Sequence, residues 1–152
     1  MDWRTDEERE HQRWRNIVNS TLEDVKDPAG CFEELFNHYA RPQAWRLTEG
    51  TARLLHELAA RGLTLGIASN YDRRLRDVVS GFEALMPVKH LMISSEVGYR
   101  KPAAAFFESI VQRADCRAPE ILYVGDDAVN DVAAARASGL QGALVHDRLH
   151  LA

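Results

Sequence analysis

The stretch that most constrains the fold covers residues 120–139, with the sequence EILYVGDDAVNDVAAARASG. The apolar run at residues 121–124 predicts a short, buried strand of a parallel sheet. Gly125 ends that run, and the helix-forming residues 132–138 follow and close on Gly139 as a C-terminal cap. We therefore predict a strand, an acidic turn and a helix. In open α/β sheets such turns lie at the carboxyl ends of the strands, where ligands bind.

Three aspartates, Asp126, Asp127 and Asp131, occupy this turn and the start of the helix. Crowded carboxylates repel one another and stay ionised only when a cation or a basic residue joins them. Their oxygens are the ligands that Mg²⁺ prefers, so the three residues are candidate magnesium ligands. A single aspartate after a strand is more often a helix N-cap. Two adjacent aspartates with a third one turn later leave both interpretations open.

Composition narrows the class of protein. The 152 residues fit one domain, or one domain with a small appendage, and 45% hydrophobic residues allow a substantial core. A net charge of −4 without a basic stripe argues against nucleic acid as a partner. The sequence has no apolar run of membrane-spanning length and no signal-peptide core, so we expect no membrane partner and a cytoplasmic location. Cys31 and Cys116 lack the C-x-x-C spacing of metal or redox sites.

The N-terminal third is predicted to be helical. Residues 6–26 carry apolar side chains at helical spacing. A second helix begins at Asp27-Pro28, with the aspartate as cap and the proline at the first helical position, and runs to about Tyr39. Arg41-Pro42 ends it. We predict a division into residues 1–46 and residues 47–152.

From residue 48 onward, helices and strands alternate. Predicted helices cover residues 48–61, 72–79, 102–114 and 132–138, and predicted strands cover residues 63–68, 90–93, 121–124 and 141–145. This order is typical of an α/β fold, a Rossmann-like parallel sheet with right-handed crossovers. On the first of these helices, we expect the following residues to be buried: Leu54, Leu55, Leu58 and Ala59.

Two further strand ends carry polar groups. Ser69 and Asn70 follow the first strand, where a hydroxyl and backbone N–H groups suit a phosphate, or merely cap the next helix. Lys101, before Pro102, follows the second strand. Alone it would be a solvated lysine, but beside three acids and a phosphate it supplies the balancing charge. We infer the site from the order of the three groups along the chain.

Three segments carry a family resemblance. They are residues 66–75 (GIASNYDRRL), 95–102 (SEVGYRKP) and 124–131 (VGDDAVND), and together they resemble the second, third and fourth motifs of the haloacid dehalogenase-like superfamily, in the subfamily with an early helical cap. The resemblance implies that residues 1–46 are part of the cap. It also implies that the Ser69 hydroxyl and the Asn70 N–H hold phosphate, that Lys101 neutralises the phosphate and the nucleophile, and that the three aspartates bind Mg²⁺.

The superfamily's first motif, an apolar strand ending in D-x-D-x-[TS], has no match here. Asp2, Thr5 and Asp6 do not fall at that spacing. The resemblance implies that this motif supplies the aspartate nucleophile, which forms an aspartyl-phosphate, and the central strand of the sheet, between residues 63–68 and 121–124. We therefore expect an N-terminally incomplete chain that is inactive alone and that self-associates through exposed strand edges.

The function favoured by the resemblance is Mg²⁺-dependent hydrolysis of a small phosphorylated metabolite. Relatives that dehalogenate haloacids need no metal, so the acidic motif favours phosphate-ester chemistry. An alternative is a non-catalytic relic that binds a phosphorylated ligand or a protein. A phosphoacceptor signalling domain is a third alternative, but there the acidic pair comes first in the chain, whereas here it comes last.

Overall fold

The computed structural model describes residues 2–22 and 24–145. In this part of the chain the helices are α1 (Glu7–Thr21), α2 (Pro28–His38), α3 (Thr51–Ala60), α4 (Arg74–Ser80), α5 (Ser94–Val97), α6 (Ala104–Ala114) and α7 (Ala134–Ala137). The strands are β1 (Leu65–Ser69), β2 (Val88–Ile93), β3 (Leu122–Gly125) and β4 (Gln141–Leu144). The predicted α/β alternation is confirmed. The end of the predicted core, residues 146–152, lies outside the described residues.

The N-terminal helices begin at the residues that their caps indicate. Asp6 accepts a hydrogen bond from the backbone N–H of Arg9, at 2.8 Å, and α1 follows. Asp27 accepts one from Gly30, at 2.9 Å, and Pro28 opens α2. Each bond satisfies a backbone donor that has no partner within its helix. The predicted division into residues 1–46 and residues 47–152 stays a prediction.

The parallel sheet consists of two separate pairs of strands. β1 pairs with β2, and β3 pairs with β4, both in parallel. Within the described residues no backbone hydrogen bond joins β1 to β3, so each of them has a partner strand on one side only. Both strands therefore leave one row of backbone donors and acceptors without a strand partner.

Two hydrophobic clusters stabilise the strand pairs. The first packs α4 on the β1–β2 pair around Ile93, which is fully buried. The second is built around Phe107 of α6, also fully buried, which lies 5.3 Å from the ring of Tyr123 in β3. Ala68 of β1 packs against this second cluster. In the described residues this second cluster therefore links strands from both pairs, which share no backbone hydrogen bond.

Two burial predictions are wrong. None of the four α3 residues expected to be buried is fully buried: Leu54 is 55% exposed, and Leu55, Leu58 and Ala59 are half-buried, where α3 packs near β1 and the turn at Glu83–Leu85. The strand at residues 121–124 was expected to be buried throughout, but Leu122 and Val124 are 58% and 54% exposed. Their neighbour Tyr123 points to the face that α6 covers, and side chains alternate along a strand. In the described part of the chain, no helix is long and apolar enough to cross a membrane.

We expect hydrogen exchange to be slow for only about every second amide along β1 and β3. Successive N–H groups of a strand point to opposite sides, and each of these strands has a partner on one side only. The measurement is residue-resolved exchange by NMR on a sample shown to be monomeric. Continuous protection from Leu65 to Ser69 and from Leu122 to Gly125 in the monomer would contradict the observed pairing.

Candidate active site

Asn70 joins the loops that follow β1 and β2. Its side-chain Nδ2 donates to the carbonyl oxygen of Lys101, at 3.1 Å, and its Oδ1 accepts from the Lys101 backbone N–H, at 2.8 Å. A side-chain amide that satisfies both backbone groups of one residue fixes the position of that residue. The structure thus brings together two of the predicted phosphate-binding residues.

The Lys101 side chain then reaches the end of β3. Its Nζ donates to Oδ1 of Asp131 at 2.6 Å, and the two side chains are only 13% and 6% exposed. The Tyr123 hydroxyl lies 3.5 Å from the same oxygen. Burial alone would lower the pKa of Lys101, but the hydrogen bond to Asp131 and the contacts with Tyr123 outweigh it, so the pKa is raised. Lys101 is therefore held in its charged form.

Asp131 reaches this position because the chain winds unusually after β3. Residues Ala128–Ala133 form a wide helical turn in which the backbone N–H of Val132 donates to the carbonyl of Asp127, at 3.1 Å. The turn buries Asp131 and aims its carboxylate back at the strand end. A Cβ atom at Gly125 would overlap that carboxylate, which accounts for the glycine between the strand and the acids.

Asp127 caps this helical turn. Its Oδ1 accepts from the backbone N–H groups of Val129 and Asn130, both at 2.8 Å, and its Oδ2 accepts from the Asn130 side chain, at 2.7 Å. Hydrogen bonds from Asn130 and then Val129 lower the pKa of the Asp127 carboxyl. Of the two interpretations open for this residue, the N-cap is therefore present in the structure, and a role as metal ligand stays a prediction.

Among the described residues, Asp126 and Ser69 have no such partners. Asp126 is exposed, and within residues 2–22 and 24–145 no group donates a hydrogen bond to its carboxylate. The Ser69 hydroxyl, half-buried at the end of β1, likewise makes no hydrogen bond to a described residue. The described residues contain no cluster of three or more histidine, cysteine, aspartate or glutamate side chains placed to hold a metal ion. The three aspartates are thus adjacent in sequence but differ in their surroundings.

Sequence reasoning missed two features beside the site. Tyr123, counted only as a strand residue, lies against the Lys101–Asp131 pair. Arg74 donates to both oxygens of Asp72, each at 2.7 Å, and to the carbonyl of Phe36 in α2, at 2.6 Å. The D-x-R spacing at residues 72–74 indicates such a pair, because an arginine two residues after an aspartate can donate from two guanidinium nitrogens to the two carboxylate oxygens.

Comparison with known proteins shows the family to which the chain is similar. The family model described as haloacid dehalogenase-like hydrolase matches residues 9–145. A haloacid dehalogenase-like hydrolase domain-containing protein 3 from Bos taurus is 29% identical over 140 residues, which are 89% of this chain and 56% of that protein. The chain thus spans little more than half the length of this curated relative.

The chain is also similar to a curated phosphatase and to a solved dehalogenase structure. A ribulose-1,5-bisphosphate 5-phosphatase from Halopiger xanaduensis is 34% identical over 91 residues, 59% of this chain and 38% of that protein. Among solved structures, a dehalogenase crystallised with an intermediate complex matches with a TM-score of 0.79 at 15% identity, over 95% of this chain and 62% of the other. At that identity the match shows a shared fold.

We expect Asp131→Asn to lower the free energy of unfolding by about 3–5 kcal/mol, because it leaves the buried Lys101 ammonium without its counter-charge. The double variant Lys101→Met/Asp131→Asn should lose less, since it removes both charges. Urea unfolding at neutral pH measures both losses. A single variant within about 1 kcal/mol of wild type would contradict a buried, energetically coupled pair.

The same pair predicts a dependence on alkaline pH. The folded-state pKa of Lys101 is raised above its ordinary value of 10.5, so its contribution to stability is complete below pH 10.5 and is lost as the pH rises through the folded value. The unfolding free energy of the wild type should therefore fall more steeply above pH 10.5 than that of the double variant. Equal slopes would show that Lys101 is not the titrating group.

Proposed function

This chain belongs to the haloacid dehalogenase-like hydrolase family, and we propose that it serves in the Mg²⁺-dependent hydrolysis of a small phosphorylated metabolite. The observation that carries the proposal is the convergence of Asn70, Lys101 and Asp131 from three separate strand ends. Polar groups at the carboxyl ends of parallel strands are the usual ligand-binding groups of such a sheet. One buried cation in that position favours an anionic substrate.

The phosphate would be held by donors that the fold leaves available. Lys101 has three N–H donors, and Asp131 takes one of them in the described structure. The Ser69 hydroxyl and the Asn70 backbone N–H complete the proposed clamp at the end of β1. A lysine in a partly buried site interacts with phosphate more strongly than it would in water, because the effective dielectric constant is lower.

The surroundings of Asp126 fit a magnesium ion. Mg²⁺ in proteins is commonly held by one or two carboxylates, substrate phosphate and several waters, so it does not need a cluster of three acids. Asp126 would be the first ligand, because its carboxylate is exposed at the strand end, with Asp131 as second. Bound there, the ion would neutralise charge on the phosphoryl group.

The choice of phosphate ester over haloacid rests on the acidic motif and on the similarity to a phosphatase at 34% identity. The family mechanism requires a nucleophilic aspartate in addition to the groups above. Asp127 serves as a helix cap and Asp131 is paired with Lys101, so neither is placed for attack on phosphorus. We therefore propose that turnover needs a further carboxylate, and that these residues bind and orient the substrate.

The engagement of Asp127 and Asp131 also favours a second candidate function. A protein with a phosphate clamp but without an available nucleophile would bind a phosphorylated ligand without cleaving it. Binding with no turnover, in the longest natural form of the protein, would support this candidate.

We expect Mg²⁺ binding to depend on Asp126. Calorimetric titration of Mg²⁺ in the presence of inorganic phosphate should give heat of binding for the wild type and none for Asp126→Ala, because the exposed carboxylate is the proposed first ligand. The control is Asp77→Asn, which removes an exposed aspartate on α4. Equal binding by the wild type and Asp126→Ala would remove Asp126 from the site.

We expect the 152-residue chain to hydrolyse an aryl phosphate far more slowly than a full-length family phosphatase, while it still binds inorganic phosphate. Positioning and electrostatic stabilisation alone leave residual catalysis, so a low rate is compatible with the proposal. The assay is release of the aryl alcohol, with acid quenching to trap any acyl phosphate. A burst with a trapped acyl phosphate would identify another aspartate as nucleophile and contradict our assignment.

A further inference from the structure

The first turn of α1 carries two glutamates, Glu7 and Glu10, that accept hydrogen bonds from outside the helix. Oε1 of Glu7 accepts from the backbone N–H of Arg73, at 3.1 Å, and also from the hydroxyl of Ser95. Its Oε2 lies 3.3 Å from Nε of the same arginine. Arg73 belongs to the loop after β1, and Ser95 lies in α5, the short helix that follows β2. A single carboxylate on α1 therefore joins the loop of Asn70 to the segment that leads to Lys101.

Glu10, at the end of the same turn, holds the N-terminal segment. It is 1% exposed, accepts from the Thr5 hydroxyl at 2.6 Å and lies 3.4 Å from Nε of Arg13. The Thr5 backbone N–H donates to the carbonyl of Gly98, and the Arg100 backbone N–H donates to the carbonyl of Trp3, both at 3.0 Å. The N-terminal segment therefore lies antiparallel to the residues just before Lys101.

Acidic residues in a first helical turn often do no more than offset the helix dipole. Glu8 fits that description, since it is exposed and makes no side-chain hydrogen bond to a described residue. Glu7 and Glu10 differ, because their oxygens accept from side chains and backbone outside α1. Burial lowers the pKa of Arg100, and the charge of Glu10 partly offsets that effect, so the two groups are also coupled electrostatically.

We propose that Glu7 and Glu10 are positioning residues for the phosphate clamp, holding the loops of Asn70 and Lys101 so that the Lys101 ammonium stays against Asp131. Asn70 joins these loops on the side of the site, and the first turn of α1 joins them on the outside. Without the outer connection, the loop before Lys101 is free to open locally. The functional meaning of this arrangement rests on the phosphate clamp proposed above.

The test compares the acylation rates of individual lysines. The chain has three lysines, of which Lys89 is exposed, whereas the Lys101 side chain is 13% exposed and its amine is held by Asp131. Brief treatment with a limiting amount of acetylating reagent, followed by peptide mass spectrometry, gives the ratio of Lys101 to Lys89 modification. We expect Glu7→Gln and Glu10→Gln each to raise this ratio by about three- to tenfold.

Two matched controls separate positioning from general loss of stability. Glu8→Gln makes the same charge change in the same helical turn and should leave the ratio at the wild-type value. Glu120→Gln weakens a remote ion pair with Arg117 and should also leave it unchanged at the same temperature. A wild-type ratio in both the Glu7 and the Glu10 variants would overturn the inference, as would an equal rise in the Glu120 variant.

Phosphate affinity gives an independent measurement. The same two variants should bind inorganic phosphate about three- to tenfold more weakly than the wild type and the Glu8 control, by calorimetry. Unchanged affinity alongside a raised labelling ratio would overturn the link to the clamp. If the wild type binds no phosphate, the proposed function fails, and the labelling ratio still decides whether α1 positions Lys101.

Discussion

The contact among Asn70, Lys101 and Asp131 is the interaction on which the rest of the structure depends. The β1–β2 and β3–β4 pairs share no backbone hydrogen bond in the described residues, so side chains must join them. Asn70 holds the Lys101 backbone, and the Lys101 ammonium holds Asp131 beyond β3. The hydrophobic cluster of Phe107 and Tyr123, against which Ala68 of β1 packs, also joins the two pairs. A buried ammonium is stable there only because a carboxylate pairs with it.

This contact also determines what each acid at the site is able to do. Asp131 balances Lys101, and Asp127 completes the helical turn that aims Asp131 at the strand end. Asp126 is exposed to solvent, which is why we propose it as the first magnesium ligand. Three neighbouring residues of the same type thus have different surroundings: Asp127 caps the wide helical turn, Asp131 is paired with Lys101, and Asp126 is exposed.

The one-sided strands explain why so much apolar surface is exposed near the site. Leu122 and Val124 lie on the face of β3 opposite Tyr123, and no described helix covers that face. Parallel sheets normally have both faces covered and both strand edges paired. Within the described residues, β1 and β3 each have one edge without a strand partner, and α6 and α7 cover only the face of β3 that carries Tyr123.

Most elements, and the positions of Ser69, Lys101 and the acidic turn at strand ends, could be predicted from the sequence, because strand ends, caps and glycines act over a few neighbouring positions; the role of these residues in binding phosphate stays a prediction. The run before Gly125, the Asp27-Pro28 helix start and the order of Ser69, Lys101 and the acidic turn are local signals of this kind. The sequence also determined the family, since its three motifs are contiguous segments.

Only the tertiary structure decided how these groups are used. Its main contacts join residues that are far apart in the sequence. Lys101 is 30 positions from Asp131 and 22 positions from Tyr123, and Glu7 is 88 positions from Ser95. No local pattern encodes which buried donor meets which acceptor, because that choice depends on the packing of strands and helices from different parts of the chain. The sequence alone thus determined which chemical groups lie at the strand ends. The three-dimensional packing decided which of these groups form hydrogen bonds and ion pairs with one another.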